Sequence, residues 1–293
     1  MPEERFIYPH ETDPDIFREA LAYSEADKGF TSNLIEKDYY CSLILQYFFS
    51  EDTELVFKGG TCLSKVHADF YRLSEDIDFI IPVVEEITRP QRRACIKSVK
   101  RMFEKLPKVV PGMTISEAFR GHNESRQYIG CLEYPSVIAE KLEYIQVEVG
   151  LREPLLSPSE SKKASTIAVN PFSGQPLLPT FTVSAMALKE AYAEKVRAAL
   201  NRRGPAIRDF FDLFYVDRKK LLNFFKPDFL KMVKSKIDVP GNDPIDVSTE
   251  RKQELNRQLA GQLKPVLRPT DFKGFNMEEA FELVSNIAEA LSA

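Results

Sequence analysis

The sequence predicts an α/β (α+β) fold in which a mixed sheet with flanking helices is followed by a helical C-terminal domain. Three observations point there. Short strand-like runs alternate with amphipathic stretches over the first half, prolines at 154, 158, 171, 176 and 179 interrupt the pattern, and from Ser184 onward only helical periodicity remains. The organisation expected is 1–155 for the sheet domain with its N-terminal helices, 156–180 for a Pro-rich linker or crossing loop, and 181–293 for the helical domain.

Taken in order, Pro9–Lys28 reads as a helix after a loose start, and Thr31, Ser32 and Asn33 offer caps for a second helix, Asn33–Phe49. In that second helix Leu34, Tyr40/Cys41, Ile44/Leu45 and Phe48 recur at three-to-four spacing, which leaves Glu36, Lys37 and Asp38 near its first turn. Glu54–Lys58 is a short strand running into Gly59-Gly60, and Thr61–Phe70 looks helical. Asp76–Pro82 is a strand stopped by proline. Pro90–Lys105 places Cys95, Val99, Met102/Phe103 and Leu106 on one side and basic residues on the others. Two more strands, Gln127–Tyr134 and Leu142–Leu151, complete the sheet. Helices are then expected over Ser184–Leu200, closed by Gly204-Pro205, and over Ala206–Lys220, Asp228–Ile237, Ser248–Gln262 and Met277–Leu291.

Composition narrows the class. The chain has 293 residues, enough for one large core or two modest ones without metal or disulfide support. Cys41, Cys62, Cys95 and Cys131 stand singly, which argues against a disulfide framework or a structural zinc site. The longest apolar run, Cys41–Ser50, is too short to span a bilayer and no basic-then-apolar leader opens the chain, so a cytoplasmic protein with no membrane partner is expected. The net charge of −4 hides a segregation. Met1–Phe57 carries thirteen acidic residues against four basic, Arg89–Lys108 eight basic against Glu104 alone, and Lys189–Lys236 thirteen basic against six acidic. A polyanion-binding surface is therefore compatible with the acidic total, although such runs also serve as plain solvated helix faces.

The chemistry concentrates in Lys58–Phe79, KGGTCLSKVHADFYRLSEDIDF. A strand that ends in Gly59-Gly60 and opens a helix at Thr61 points backbone N–H groups and the positive helix end at an anion, and the missing Cβ atoms let phosphate approach. Lys58, Ser64 and Lys65 are near enough in sequence to add ammonium or hydroxyl contacts. Asp76 and Asp78, two apart on a strand, project from one face while Ile77, Phe79 and Ile81 project from the other. Paired carboxylates on one face repel, and a divalent cation between them relieves the repulsion. Glu148, flanked by Val147 and Val149, is the candidate third acidic ligand. His10, His67 and His122 show no spacing that suggests a metal site or a base.

These residues resemble a family. Lys58-Gly59-Gly60-Thr61 followed by Ser74-Glu75-Asp76-Ile77-Asp78 is similar to the motif of the AbiEii/AbiGii-type nucleotidyltransferase toxins, the MenT toxins among them. The resemblance extends to Glu36-Lys37-Asp38, to Glu190-x3-Glu194-Lys195 and to Arg208-Asp209-x2-Asp212-Leu213, covering roughly residues 30–215; Cys62 departs from the alanine usual at its position. It implies a polymerase-β-like nucleotidyltransferase core, a helical C-terminal half and an active site in the cleft between them. Carried over by position, Gly60 and Thr61 would cradle nucleotide phosphates together with Lys58, Gly59 and Ser64. Asp76 and Asp78 would bind Mg²⁺, or Mn²⁺ in its place, and Ser74 would match a serine that can be modified and silenced. Lys195 would reach the triphosphate, and Asp209 or Asp212 would complete the far wall.

The function expected from both lines is transfer of a nucleoside monophosphate from an NTP co-substrate to RNA, at the tRNA 3′ end, blocking translation. Arg92, Arg93 and Lys97 in the first basic segment and Arg202 and Arg203 in the second would line the RNA path, with Phe210, Phe211 and Tyr215 available for stacking where exposed. A cognate antitoxin, winged-helix or kinase-like, is the implied protein partner. Two alternatives stay open: a small-molecule (aminoglycoside-type) or protein nucleotidyltransferase, the small-molecule kind needing an acidic acceptor pocket, and a non-catalytic nucleotide-binding interaction module.

Overall fold

The computed structural model describes residues 8–51, 53–84 and 86–292. The chain divides into two units: Met1–Leu155 with Ser159–Met186, and Leu156–Pro158 with Ala187–Ala293. No described helix is long and apolar enough to cross a membrane.

The first unit begins with Pro9–Thr12 (α1), Pro14–Lys28 (α2) and Ser32–Ser50 (α3). The single helix expected over Pro9–Lys28 is broken at Asp13, because Pro14 has no N–H to continue the ladder and Asp13 instead caps α2 through Ile16 N at 3.0 Å. Gly29, left-handed at φ 76°, ends α2, and the Glu25 carboxylate then accepts from Ser32 N (2.8 Å) to start α3. Helix α3 is buried on nearly every side. It is the central element of this unit.

Val56–Lys58 (β1) leads into Gly59–Cys62 (α4) and a π-helical turn, Leu63–His67, and Ile77–Ile80 (β2) follows. Arg89–Cys95 (α5) and Lys97–Val109 (α6) replace the one amphipathic helix expected there. The remaining strands are Thr114–His122 (β3), Gln127–Pro135 (β4), Leu142–Gly150 (β5), Glu160–Ala164 (β6) and Phe181–Ala185 (β7). They form one mixed sheet of order β3-β4-β5-β2-β1-β7-β6, with parallel pairs β2–β5 and β1–β7 and antiparallel pairs elsewhere.

Two sequence expectations fail here for identifiable reasons. β3 went unread because only Phe119 on it is fully buried, against Phe103 of α6 with ring centroids 4.3 Å apart. The stretch 156–180 is no free linker. Its β6 pairs with β7, which occupies part of the helix expected from Ser184, and the stretch just after β6 is held by distant polar side chains: Asp38 accepts from Thr166 Oγ1 (3.0 Å) and Ile167 N (2.9 Å), and Ser24 Oγ accepts from Val169 N (2.8 Å).

The second unit is helical: Leu188–Asn201 (α7), Ile207–Arg218 (α8), Pro227–Ile237 (α9), Thr249–Gln258 (α10), Pro269–Gly274 (α11) and Met277–Ser292 (α12), with π and 3₁₀ turns over Leu259–Val266. Phe210 stacks on Phe281 and Phe211 meets Phe275 edge-on in its core. Phe210, Phe211 and Leu213 are buried, so Phe210 and Phe211 are packing residues and not stacking platforms.

Candidate active site

Strand register decides which side chains meet. β2 pairs antiparallel to β1 with Lys58 opposite Asp78, and parallel to β5 with Asp78 opposite Glu148. Register partners share a face, so Lys58, Asp78 and Glu148 form one lateral row, about 4.8 Å between neighbours. Ile77, Phe79, Val147 and Val149 are fully buried on the other face. Asp76 precedes β2 by one residue and falls on the Asp78 side by alternation. All three carboxylates keep partial exposure. Among the described residues, no three His, Cys, Asp or Glu are placed so that together they could hold a metal ion, so Glu148 is not gathered with Asp76 and Asp78 as the third ligand the sequence suggested. An open arrangement of oxygen donors nevertheless fits Mg²⁺, which keeps several waters and is held by one or two carboxylates together with substrate phosphates.

The glycine turn fits the row closely. Gly59 has φ 76°, and a Cβ added to it would lie 2.1 Å from Asp78 Oδ2, so the Asp78 carboxylate occupies the space a side chain would fill. A Cβ on Gly60 would lie 2.6 Å from Arg72 Nη2 and 3.1 Å from Ser74 Oγ. The backbone of Gly59–Thr61 opens α4 and its π-turn extension, where the first N–H groups have no partner within the helix.

Three side-chain expectations at this turn are corrected. Thr61 is buried and its hydroxyl donates to the Asp76 carbonyl, so its side chain is committed within the fold. Ser64 is buried and donates to the Arg72 carbonyl. Lys65 is fully enclosed, its ammonium held by Asp38, by Ser42 Oγ (2.8 Å) and by the Ser165 carbonyl (3.1 Å). The Thr61 and Ser64 bonds fasten the 68–76 loop to the helix that follows the glycines. Consecutive left-handed residues in that loop, Asp69 (φ 45°) and Phe70 (φ 52°), turn the chain back so that Arg72 enters the interior at 2% exposure. Sequence reasoning missed Arg72, since a single loop arginine reads as solvated and only the fold-back reveals it.

The Glu36-Lys37-Asp38 segment supports the same region. Glu36, buried, accepts from Ser136 Oγ (2.5 Å) and Val137 N (2.7 Å) and so fixes the turn between β4 and β5; burial pushes its carboxyl pKa up, against those hydrogen bonds. Lys37 reaches Glu75 (3.4 Å), next to Asp76, and Glu143 (3.8 Å) on β5. Burial likewise pushes the Cys41 and Cys62 thiols up, which keeps both protonated and unreactive.

In the helical unit, Lys195 on α7 lies 2.6 Å from Asp209 and 3.1 Å from Asp212 on α8, with Asp212 fully buried. The structure thus brings these three residues together as one enclosed charge cluster. Arg202 lies 3.8 Å from Asp209 and Arg203 3.5 Å from Asp243, both with exposed side chains. A second buried pair, Lys236 with Glu190 (2.7 Å), leaves the Glu190 carboxylate to accept from Leu156 N (2.9 Å) and Ser157 N (2.8 Å).

The first basic segment is placed otherwise than expected. Arg92 is buried, donating to the carbonyls of Ile87 and Glu124, and pins α5 to the β3–β4 turn. Arg93 and Lys97 are exposed. Helix α6 packs through Phe103 against Gly130, and Lys100 lies over the Tyr128 ring at 4.8 Å. Tyr128 pairs with Val149 and so belongs to the buried face. The basic helices therefore cover the side of the sheet opposite Asp76 and Asp78.

Residues 44–283 match the family model described as nucleotidyl transferase AbiEii toxin, Type IV TA system. Among solved structures the chain resembles JHP933 from Helicobacter pylori, at 14% identity and a TM-score of 0.51, covering 89% of this chain and 93% of that one. It also resembles a second H. pylori chain, described as an unconfirmed nucleotidyltransferase, at 14% identity, 89% and 96% coverage and a TM-score of 0.49. At this identity the likeness to JHP933 speaks to the fold. No curated protein matches.

Proposed function

From the premise that this chain belongs to the AbiEii family of nucleotidyltransferase toxins, we propose that it transfers a nucleoside monophosphate from an NTP to the 3′ end of RNA, with tRNA as the acceptor, and thereby blocks translation. The observation that carries the reading is the row Lys58–Asp78–Glu148, with Asp76 on the same face, set against a glycine turn whose backbone opens a helix. Asp76 and Asp78 are the residues that would hold Mg²⁺ or Mn²⁺ together with substrate phosphates, with Glu148 beside Asp78 in the row adding negative charge. Such a cation supplies charge neutralisation at the transferring phosphoryl group.

The protein's own groups divide the rest of the work. Backbone N–H groups of Gly59–Thr61 receive the phosphates, and Lys58 adds positive charge beside Asp78. Buried Arg72 fills the space beside Gly60 that a side chain there would need. In the helical unit, Asp209 and Asp212 fix the orientation of the Lys195 ammonium. In the transfer the acceptor 3′ oxygen bonds to the α-phosphorus and the bond to the bridging oxygen breaks. Its electron pair leaves with pyrophosphate, and the hydroxyl proton passes to solvent.

The family description as a Type IV toxin–antitoxin system implies a cognate antitoxin. We propose a winged-helix or kinase-like protein for that role, and the neighbouring gene tests it. The activity is tested by incubating the protein with Mg²⁺, each α-labelled NTP and total RNA. Label is expected on RNA; label on the protein or on a small molecule, with none on RNA, overturns the acceptor.

A further inference from the structure

The sheet face that bears Asp76 and Asp78 continues past β5 across β4 to the β3 edge. Register places Ile129 and then Arg120 in line with Glu148, and Cys131 and Glu117 in line with Gln146. Glu133 and Thr114 lie in line with Tyr144. Along β5 the residues pointing this way are Leu142, Tyr144, Gln146 and Glu148, whereas Ile145, Val147 and Val149 point into the core. Tyr144 is 49% exposed and Leu142 48%. An aromatic ring presented to solvent in the middle of a sheet face gives up burial that Ile145, Val147 and Val149 obtain on the opposite side.

Position relative to the carboxylates supplies a use. In an in-line displacement the attacking oxygen and the leaving pyrophosphate stand on opposite sides of the α-phosphorus. The glycine turn that receives the leaving phosphates lies on the β1 side of Asp78. The attacking hydroxyl must then arrive from the β5 side. Tyr144 is two residues, about 7 Å, from Gln146, the β5 position in line with Asp76, and four residues, about 13 Å, from Glu148. These spans are on the scale of one to two extended nucleotides.

Charge selects which part of an RNA can lie there. Glu117 and Glu133 accompany the site carboxylates, against Arg120 at the β3 edge and Lys58 at the far end on β1. A phosphodiester backbone is repelled from such a surface, but a nucleobase is not. The Gln146 amide carries both donor and acceptor for a base edge, and Tyr144 offers a ring for stacking. We infer that the outer face of β5, β4 and β3, centred on Tyr144 and Gln146, is the acceptor platform: it takes the unpaired 3′-terminal nucleotide of an RNA by its base, with the preceding phosphates held away from the strands. This rests on the RNA reading above and adds to it which surface the acceptor uses and which part of the acceptor is read.

The test uses the full chain. Tyr144→Ala is expected to raise the KM for RNA about tenfold to a hundredfold, the scale of losing one base–aromatic stack, with the KM for NTP within twofold and the salt dependence of RNA binding unchanged. Tyr144→Phe should retain wild-type values. The chain contains no tryptophan, so Tyr144→Trp places a single indole on the platform. Its emission should be quenched by RNA with an unpaired 3′ end and unaffected by blunt RNA duplex, by NTP with Mg²⁺, or by kanamycin. An unchanged RNA KM in Tyr144→Ala overturns the platform while labelled RNA in the wild type leaves the activity standing. Quenching by NTP with Mg²⁺ alone would assign the face to the donor base, and quenching by kanamycin in place of RNA would assign it to a cationic acceptor; either overturns the proposal. No label on RNA with the wild-type protein defeats the platform and the RNA reading together.

Discussion

Replacing Gly59 by alanine isolates how the phosphate turn and the Asp78 carboxylate depend on each other. Two costs add. At φ 76° a Cβ meets the following carbonyl, a penalty of about 1–2 kcal/mol. The new methyl would also lie 2.1 Å from Asp78 Oδ2 and 2.8 Å from its Cβ and Cγ, where ordinary contact begins at 3.4 Å. The carboxylate must therefore retreat by about 1 Å or the turn must open, an overpacking cost of about 1–3 kcal/mol. The total, about 2–5 kcal/mol, is within the 5–15 kcal/mol typical of a folded domain, so the variant should fold. A shift of about 1 Å at a reacting centre can cost about 10²-fold in rate. Urea unfolding and labelled transfer read the two effects separately. Two other glycines serve as controls. Gly174→Ala has φ 68° and no atom within 4 Å, so it should show the backbone cost alone with full activity. Gly60→Ala meets only the side-chain ends of Arg72 and Ser74 and should be intermediate. If Gly59→Ala loses no more stability than Gly174→Ala and keeps activity within threefold, the proposed fit between turn and carboxylate is wrong.

The remaining expectations concern charge. Asp78→Asn should lower kcat by at least about 10²-fold while leaving the melting temperature unchanged or raised, since it removes repulsion from Asp76 and Glu148; retained activity would remove Asp78 from the site. Lys195→Met removes the ammonium that lies between the buried Asp209 and Asp212 carboxylates and should cost about 3–5 kcal/mol, most of it recovered in Lys195→Met/Asp209→Asn/Asp212→Asn. Failure of the triple variant to recover urea resistance would mean that the cluster is not held by charge compensation. His10 and His67 have pKa values lowered by burial, so both fold neutral. Stability from them is complete above about pH 6.5 and is lost as pH falls through the lowered folded values. The urea midpoint should drop between pH 7.5 and 5.5, and less so in His10→Gln/His67→Gln; equal drops would refute the assignment. Arg93→Glu/Lys97→Glu should leave the KM for RNA within twofold, because those side chains belong to the helices on the covered side of the sheet, and a tenfold rise would restore them to the RNA path.

How much of this was legible beforehand varied with the range of the contacts involved. The Asp76/Asp78 pair, the glycine turn and Glu148 were readable because strand alternation is a local rule, and adjacent registers then aligned what alternation had placed on one face. Lys195, Asp209 and Asp212 entered by family resemblance, and their convergence adds the ion pairs that neither helix discloses alone. Thr61, Ser64 and Lys65 were misread for a common reason: polar residues next to a phosphate-type turn look available, whereas each is spent on a carbonyl or carboxylate brought in by a distant segment. Arg92 was misread in the same way, its guanidinium joining two turns. β6 and β7 were hidden by proline content, since what orders that stretch is Asp38 and Ser24, far away in sequence.

The parallel pairing of Phe57 with Ala185 bears on the order of events during synthesis. β1 is three residues long, and its second neighbour in the sheet is encoded 128 residues later, the same interval that separates Asp38 from Thr166. A ribosome adding about 5–20 residues per second takes about 6–25 s to produce that stretch. During that time β2 can already lie against one side of β1 while the other remains an unpaired edge. The sheet beside the glycine turn is thus closed only after that interval, which leaves a cotranslational window in which an antitoxin already present has time to meet the emerging chain.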